Sequence, residues 1–207
     1  MSQKVENNRT QIKSPAKSPS TRRRNQRSHQ AILQAASELL EEKGYGSVCI
    51  EAIATRAGVG KQTIYRWWSS KAAVIMEACA TQATSEISTP DTGLVQKDLY
   101  TILQQLFNLL KKTPTGNAIA GLIAEAQTDP EVAKVFYEQF VQSRRQATYT
   151  ILERGIARGE LRSDLNLELA IDAIYGPVWY RLLLKHAPLD DSFAKELVNL
   201  AMVGIQV

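Results

Sequence analysis

After residue 28, apolar side chains return every three or four positions through nearly the whole chain, and strict two-residue alternation is scarce. No hairpin dipeptide separates short β-branched runs. The pattern predicts an all-α protein. Its first helix is expected from Ser28, a good N-cap, with Ile32, Ala35, Ala36, Leu39 and Leu40 on one face and a stop at Gly44. A shorter helix repeats the pattern with Ile50, Ile53, Ala54 and Ala57 and ends at Gly58. A third opens after Gly60 and places Ile64 and Trp68 four residues apart, on the same face. A fourth runs from about Ser70 into the 80s. Ser-Thr-Pro-Asp-Thr-Gly, residues 88–93, then reads as a loop and the best internal boundary.

Longer helices follow. One spans roughly 94–112, ended by Pro114, and one 116–127, capped by Thr115. A third covers 130–158, with Asp129 as cap, Pro130 at the first helical position and Gly159 as stop. The next begins after Asn166 and should be interrupted and bent at Gly176-Pro177, because proline removes a backbone hydrogen bond. A last helix runs from about Ser192 to Val203.

Two short helices joined by Ala57-Gly58-Val59-Gly60 have the layout of a helix-turn-helix, in which the second helix projects into a DNA major groove. Lys61, Gln62 and Thr63 occupy its first turn, the part that meets base edges. Gln suits adenine, Lys suits guanine, and a Thr methyl can touch that of thymine. Neighbouring helix positions point about 100° apart, so Trp67 and Trp68 cannot share one core. Trp68 is the core residue, and Trp67 faces outward.

Composition narrows the options. The net charge of +4 is unevenly spread: Lys4, Arg9, Lys13, Lys17, Arg22, Arg23, Arg24 and Arg27 face Glu6 alone in residues 1–27, so the remainder is slightly acidic. That segment reads as a disordered basic arm attracted to polyanions. No run is apolar enough to span a bilayer, and no apolar stretch follows the charges as in a secretory signal. Cys49 and Cys79 are expected as small buried hydrophobes in a reducing compartment. His29 and His186 have no ligand-spaced partners and read as structural. There is no Ser-His-Asp or Cys-His set, no metal spacing and no phosphate loop, so neither a catalytic residue, a cofactor nor a metal is expected.

Residues 32–74, ILQAASELLEEKGYGSVCIEAIATRAGVGKQTIYRWWSSKAAV, resemble the N-terminal domain of TetR-type transcriptional regulators. Ile53-Ala54, Ala57-Gly58-Val59, Thr63-Ile64-Tyr65, Trp68 and Ser70-Lys71 match that pattern in order and spacing. The stretches LIAEAQTDPEVAKVF, ILERGIARGEL and AIDAIYGPVWYRLLLKHAPLDDSFAKELV are similar to a TetR-type C-terminal domain. Gly60 and Cys49 depart from the pattern, standing where relatives place capping Ser or Thr. Position 49 therefore lacks the hydroxyl of a family phosphate contact.

The resemblance implies an N-terminal three-helix DNA-binding domain, residues 28–75, and a C-terminal helical-bundle domain for effector binding and dimerisation, residues 76–207. In the family pattern the positions of Tyr65, Trp67 and Lys71 contact phosphates, and Arg66 beside them is assigned the same role. The implied partners are a double-stranded, near-palindromic DNA operator, a small-molecule effector, and a second copy docked through residues of about 166–186 and 191–205. Phe107, Tyr137, Phe140, Tyr175 and Trp179 are the candidates for lining an effector cavity beneath Pro177, where an apolar or aromatic compound fits better than a strongly charged one. The expected activity is that of a ligand-responsive regulator, most often a repressor, cytoplasmic and at the nucleoid when bound.

Overall fold

The computed structural model describes residues 19–86, 88–112 and 115–206, with side chains from residue 25 on except those of 82–86 and 112. The described residues form helices joined by short turns, with one isolated bridge between Leu161 and Gln206 and no strand. The elements are α1 (Pro19–Lys43), a 3-10 turn at Tyr45–Ser47, α2 (Ile50–Ala57), α3 (Lys61–Tyr65), α4 (Lys71–Glu86) and α5 (Val95–Lys112). Then come α6 (Thr115–Ala126), α7 (Pro130–Phe136), a π turn at Tyr137–Val141, α8 (Gln142–Ala157), α9 (Leu167–Leu184) and α10 (Asp191–Ile205).

The helix α1 starts at Pro19, ahead of the expected Ser28, so the end of the basic segment is helical rather than disordered. Proline suits the first helical position, and the Arg and Gln residues after it are good helix formers. The rest of the arm, residues 1–18, lies outside the described residues. All five apolar positions named for α1 are buried.

Gly58 ends α2 in the left-handed conformation, φ 65°. The Gly58 N–H donates to the Thr55 carbonyl at 3.3 Å, and the Val59 N–H donates to Ala54 at 3.0 Å. This paired closure is the Schellman arrangement, which satisfies carbonyls at the helix end and aims the chain into α3. Asp129 caps α7 by accepting from the Glu131 and Val132 N–H groups, as its position before Pro130 predicts.

Two features depart from the expected pattern. The 130–158 segment is broken by the π turn, which apolar periodicity does not register. By contrast α9 continues through Pro177, where an interruption was expected. Gly176 has no Cβ to meet the proline ring, and buried Ile174, Tyr175 and Val178 hold the helix on both sides of it.

Packing places α1 against α2 and α4, and carries α4 onward to α6, α7 and the π turn. In the C-terminal bundle α5 packs on α8 and α10, and α9 on α8, α10 and α6. The ring of Tyr45 lies against Gly121 of α6, where an added Cβ would come within 2.5 Å of it. Its hydroxyl donates to the Glu125 carboxylate, so the end of α1 is tied to α6.

Candidate nucleic-acid interface and cavity

The five-residue α3 is too short to hold itself and is held from behind. Ile64 is fully buried, and Trp68 is 4% exposed while Trp67 is 44% exposed, as the sequence pattern requires. The Trp68 indole N–H donates to Glu77 of α4 at 2.7 Å. His29 of α1 pairs with the other oxygen of that carboxylate at 3.0 Å and packs against both tryptophan rings. The imidazole is thus structural, and Glu77 and His29 brace the tryptophan pair.

The opposite side of α3 is polar and exposed. The Gln62 side chain has no partner among the described residues, and Thr63 is half-buried beside it. Lys61 Nζ lies 2.9 Å from Glu51 of α2. That hydrogen bond holds the Glu51 carboxyl below its ordinary range and raises the Lys61 ammonium. Both ends of the pair are open to water, so it exchanges readily for another anion. Tyr65 is exposed, and the Arg66 guanidinium stands 6.0 Å from the Trp67 ring. Lys71 is half-buried instead, its Nζ 4.1 Å from the Tyr45 ring centre. Gly60 and Cys49 give no side-chain cap to α3 and α2. Cys49 is exposed, contrary to the expected burial, because the N-cap position points it away from the core; Cys79 is buried.

A cavity of about 260 Å³ lies between α8 and α9. Tyr175, Gly176 and Trp179 form one wall, and Val141, Arg144, Arg145 and Asp172 the other. Of the five candidate lining residues, Tyr175 and Trp179 reach the cavity. Phe140 is fully buried behind it, stacked on Phe136 at 5.6 Å and 6.3 Å from the Trp179 ring. Tyr137 is exposed, since the π turn rotates it outward. Phe107 stacks on Phe193 at 5.7 Å, on the α5–α10 side of the bundle.

Arg144 is 7% exposed. Its Nη1 donates to the Phe140 carbonyl at 2.5 Å, and its guanidinium lies 3.4 Å over the Phe140 ring. Its Nε is buried without a partner, and among the described residues Arg144 forms no ion pair. A cation–π contact of about 2 kcal/mol and one charge-assisted hydrogen bond of about 2 kcal/mol only partly offset burial of an ion, which costs several kcal/mol. Burial pulls the guanidinium down to about 10. It also pushes the nearby Cys79 thiol up to about 11, and raises Tyr175, whose hydroxyl meets Thr148 at 2.9 Å. The adjacent Arg145 is paired with two exposed carboxylates, Asp172 and Glu168. Sequence reading missed Arg144, although a signal exists: Phe140, Arg144, Thr148 and Leu152 stand four apart, putting a cation on an apolar stripe.

Comparison with known proteins agrees with this geometry. Residues 32–78 match the family model of bacterial regulatory proteins, tetR family, and residues 89–201 that of the tetracyclin repressor-like C-terminal domain. The chain is 43% identical over 185 residues to YdeS of Bacillus subtilis, an uncharacterized HTH-type transcriptional regulator, covering 89% of this chain and 93% of that one. It superposes on the TetR family transcription regulator SCO0332 with a TM-score of 0.75 at 30% identity, over 87% of this chain and 99% of the other. It shares its fold with FadR of Bacillus subtilis, solved in complex with stearoyl-CoA, at a TM-score of 0.68 and 22% identity over 86% of this chain and 100% of that one. With both halves matched and the helix-turn-helix in place, the chain belongs to the TetR family of DNA-binding transcriptional regulators, which are not enzymes.

Proposed function

We propose that this chain is a dimeric repressor that reads a near-palindromic operator through Lys61, Gln62 and Thr63 and leaves it when a small molecule enters the α8–α9 cavity. The observation that carries the reading is the two-sided support of α3: its apolar side is locked by Ile64 and Trp68, while Gln62 is exposed and unengaged at its first turn. Tyr65, Arg66, Trp67 and Lys71 take phosphate roles around it, with Lys71 leaving the Tyr45 ring to do so.

Dimerisation is supported by a continuous apolar face. Leu169, Ala173 and Pro177 of α9 line a groove with Leu200, Ala201 and Gly204 of α10, and Leu169 is 65% and Leu200 73% exposed. Such a stripe on two adjacent helices suits self-association. A two-fold dimer must set its recognition helices about 34 Å apart to reach successive major grooves.

The helix α4 is the physical link to the cavity. Its Glu77 holds Trp68 and His29, and two residues later Cys79 lies among the buried groups around Arg144. A ligand that shifts α4 moves the reader. Coupling of about 1–3 kcal/mol is typical for such control, and operator binding must weaken ligand binding by the same factor.

Gel retardation of the DNA flanking the protein's own gene, at low salt, tests the reading. Retardation that Gln62→Ala weakens at one or two symmetric base positions is expected; no retardation overturns it.

A further inference from the structure

We infer that the α8–α9 cavity takes an aromatic or aliphatic ligand carrying one anionic group, a carboxylate or an acidic hydroxyl, seated on the Arg144 guanidinium. The inference rests on the cavity being the effector site of the proposed function, and it narrows the expectation of an apolar or aromatic rather than strongly charged ligand by adding one anionic group.

Arg144 lines the cavity yet is almost wholly buried, its Nε has no hydrogen-bond partner, and it has no carboxylate partner among the described residues. The groups packed directly on it do not supply a negative charge. Cys79 and Tyr175 are held protonated at neutral pH by burial, and Thr148 is neutral. The Asp172 carboxylate at the cavity is already engaged by Arg145, as is Glu168. The Arg144 guanidinium therefore has no carboxylate in contact with it in a low-dielectric wall, while the second carboxylate on Arg145 stays exposed to water, and an anion arriving at Arg144 gains most there. The remaining lining, Tyr175, Trp179 and Val141, is aromatic and aliphatic. Phe140, four residues earlier on the same face, presents its carbonyl and ring to the guanidinium and so aims Arg144.

Isothermal titration of the full-length protein with naphthoate and with its uncharged, similarly shaped amide, naphthamide, tests the inference. The carboxylate is expected to bind about ten-fold tighter or better. Arg144→Gln, which keeps a donor for the Phe140 carbonyl but loses the charge, should erase that preference. Lys134→Gln, the same loss of charge on the exposed side of α7, should leave it intact. Equal affinities in the wild type, a preference that survives Arg144→Gln, or binding of neither probe overturns the inference. If naphthamide binds equally and also releases operator DNA, this inference falls while effector control stands. If the preference holds but no DNA is bound, the anion site stands and the proposed function falls. A second measurement needs no ligand: Arg144→Met should raise the unfolding temperature of the free protein by removing a buried charge that no carboxylate contacts among the described residues. A lowered temperature or a failure to fold assigns Arg144 a structural role and overturns the site.

Discussion

The reader at α2–α3 and the cavity at α8–α9 use the same residue types under opposite conditions. In the reader, Lys61 pairs with Glu51 and Arg56 forms a two-pronged pair with Glu42 at 2.5 and 2.7 Å, all in contact with water. In the cavity, Arg144 is enclosed and, among the described residues, unpaired by any carboxylate. The cysteines divide the same way, Cys49 exposed at the reader and Cys79 buried beside the cavity. A cation in water is available to many anions at little cost, which suits a surface that slides along phosphates. A buried cation is costly until one matching anion arrives, which suits selection of a ligand. Charge alone thus says little about a residue's work; its solvation decides.

The largest effect is expected from removing the support behind the reader. Trp68→Ala should cost about 3–5 kcal/mol, since a buried ring and its hydrogen bond to Glu77 are lost. Thermal denaturation should register it, and a loss under 1 kcal/mol would mean that α3 is not held from behind. Gly121→Ala comes next, at about 1–3 kcal/mol, because its Cβ would press on the Tyr45 ring where the reader joins the bundle. The same melt should lower the stability of both halves together, and separate transitions would break the picture of a rigid junction.

Gly58→Ala is expected to cost about 1–2 kcal/mol through the left-handed backbone alone, because nothing lies within 4 Å of its added Cβ. Gln62→Ala should leave stability within about 0.5 kcal/mol while reducing discrimination at its base pair by about 1–3 kcal/mol. A uniform loss across all DNA sequences would remove Gln62 from base reading.

The smallest perturbation is chemical. A disulfide reagent should modify one thiol, Cys49, in the folded protein and both after unfolding; rapid reaction of Cys79 would contradict its burial. Alkaline titration sharpens this. The thiol of Cys79 ionises near 8.5 in an unfolded chain and near 11 in the fold. Its contribution to stability is therefore complete below the first value and fades as pH rises through the second. Cys79→Ala should narrow its stability difference from the wild type across that window.

The reader was legible in the sequence because it is local. Helix faces, the Gly58 stop and the Trp67-Trp68 division all follow from spacing within a few residues, and each was met in the fold. The bundle helices were also legible, apart from two backbone events. Pro177 was expected to interrupt α9, but Gly176 and flanking buried side chains carry the helix through. The π turn left no apolar signature, so Tyr137 was expected inward and stands outside. Phe107 was expected at the cavity and instead meets Phe193, because a helix face in the sequence does not name its neighbour.

The sequence by itself determined an all-helical chain of the TetR family, the location of its helix-turn-helix and the residues presented at the first turn of α3. Those features depend on periodicity, turn chemistry and short spacing, which one segment carries alone. Only the tertiary structure decided that Lys61 meets Glu51, that Tyr45 locks against Gly121, and that Arg144 lies buried among Phe140, Cys79 and Tyr175. Solvation of a charge depends on what distant segments bring to it, and no single stretch of sequence contains that information.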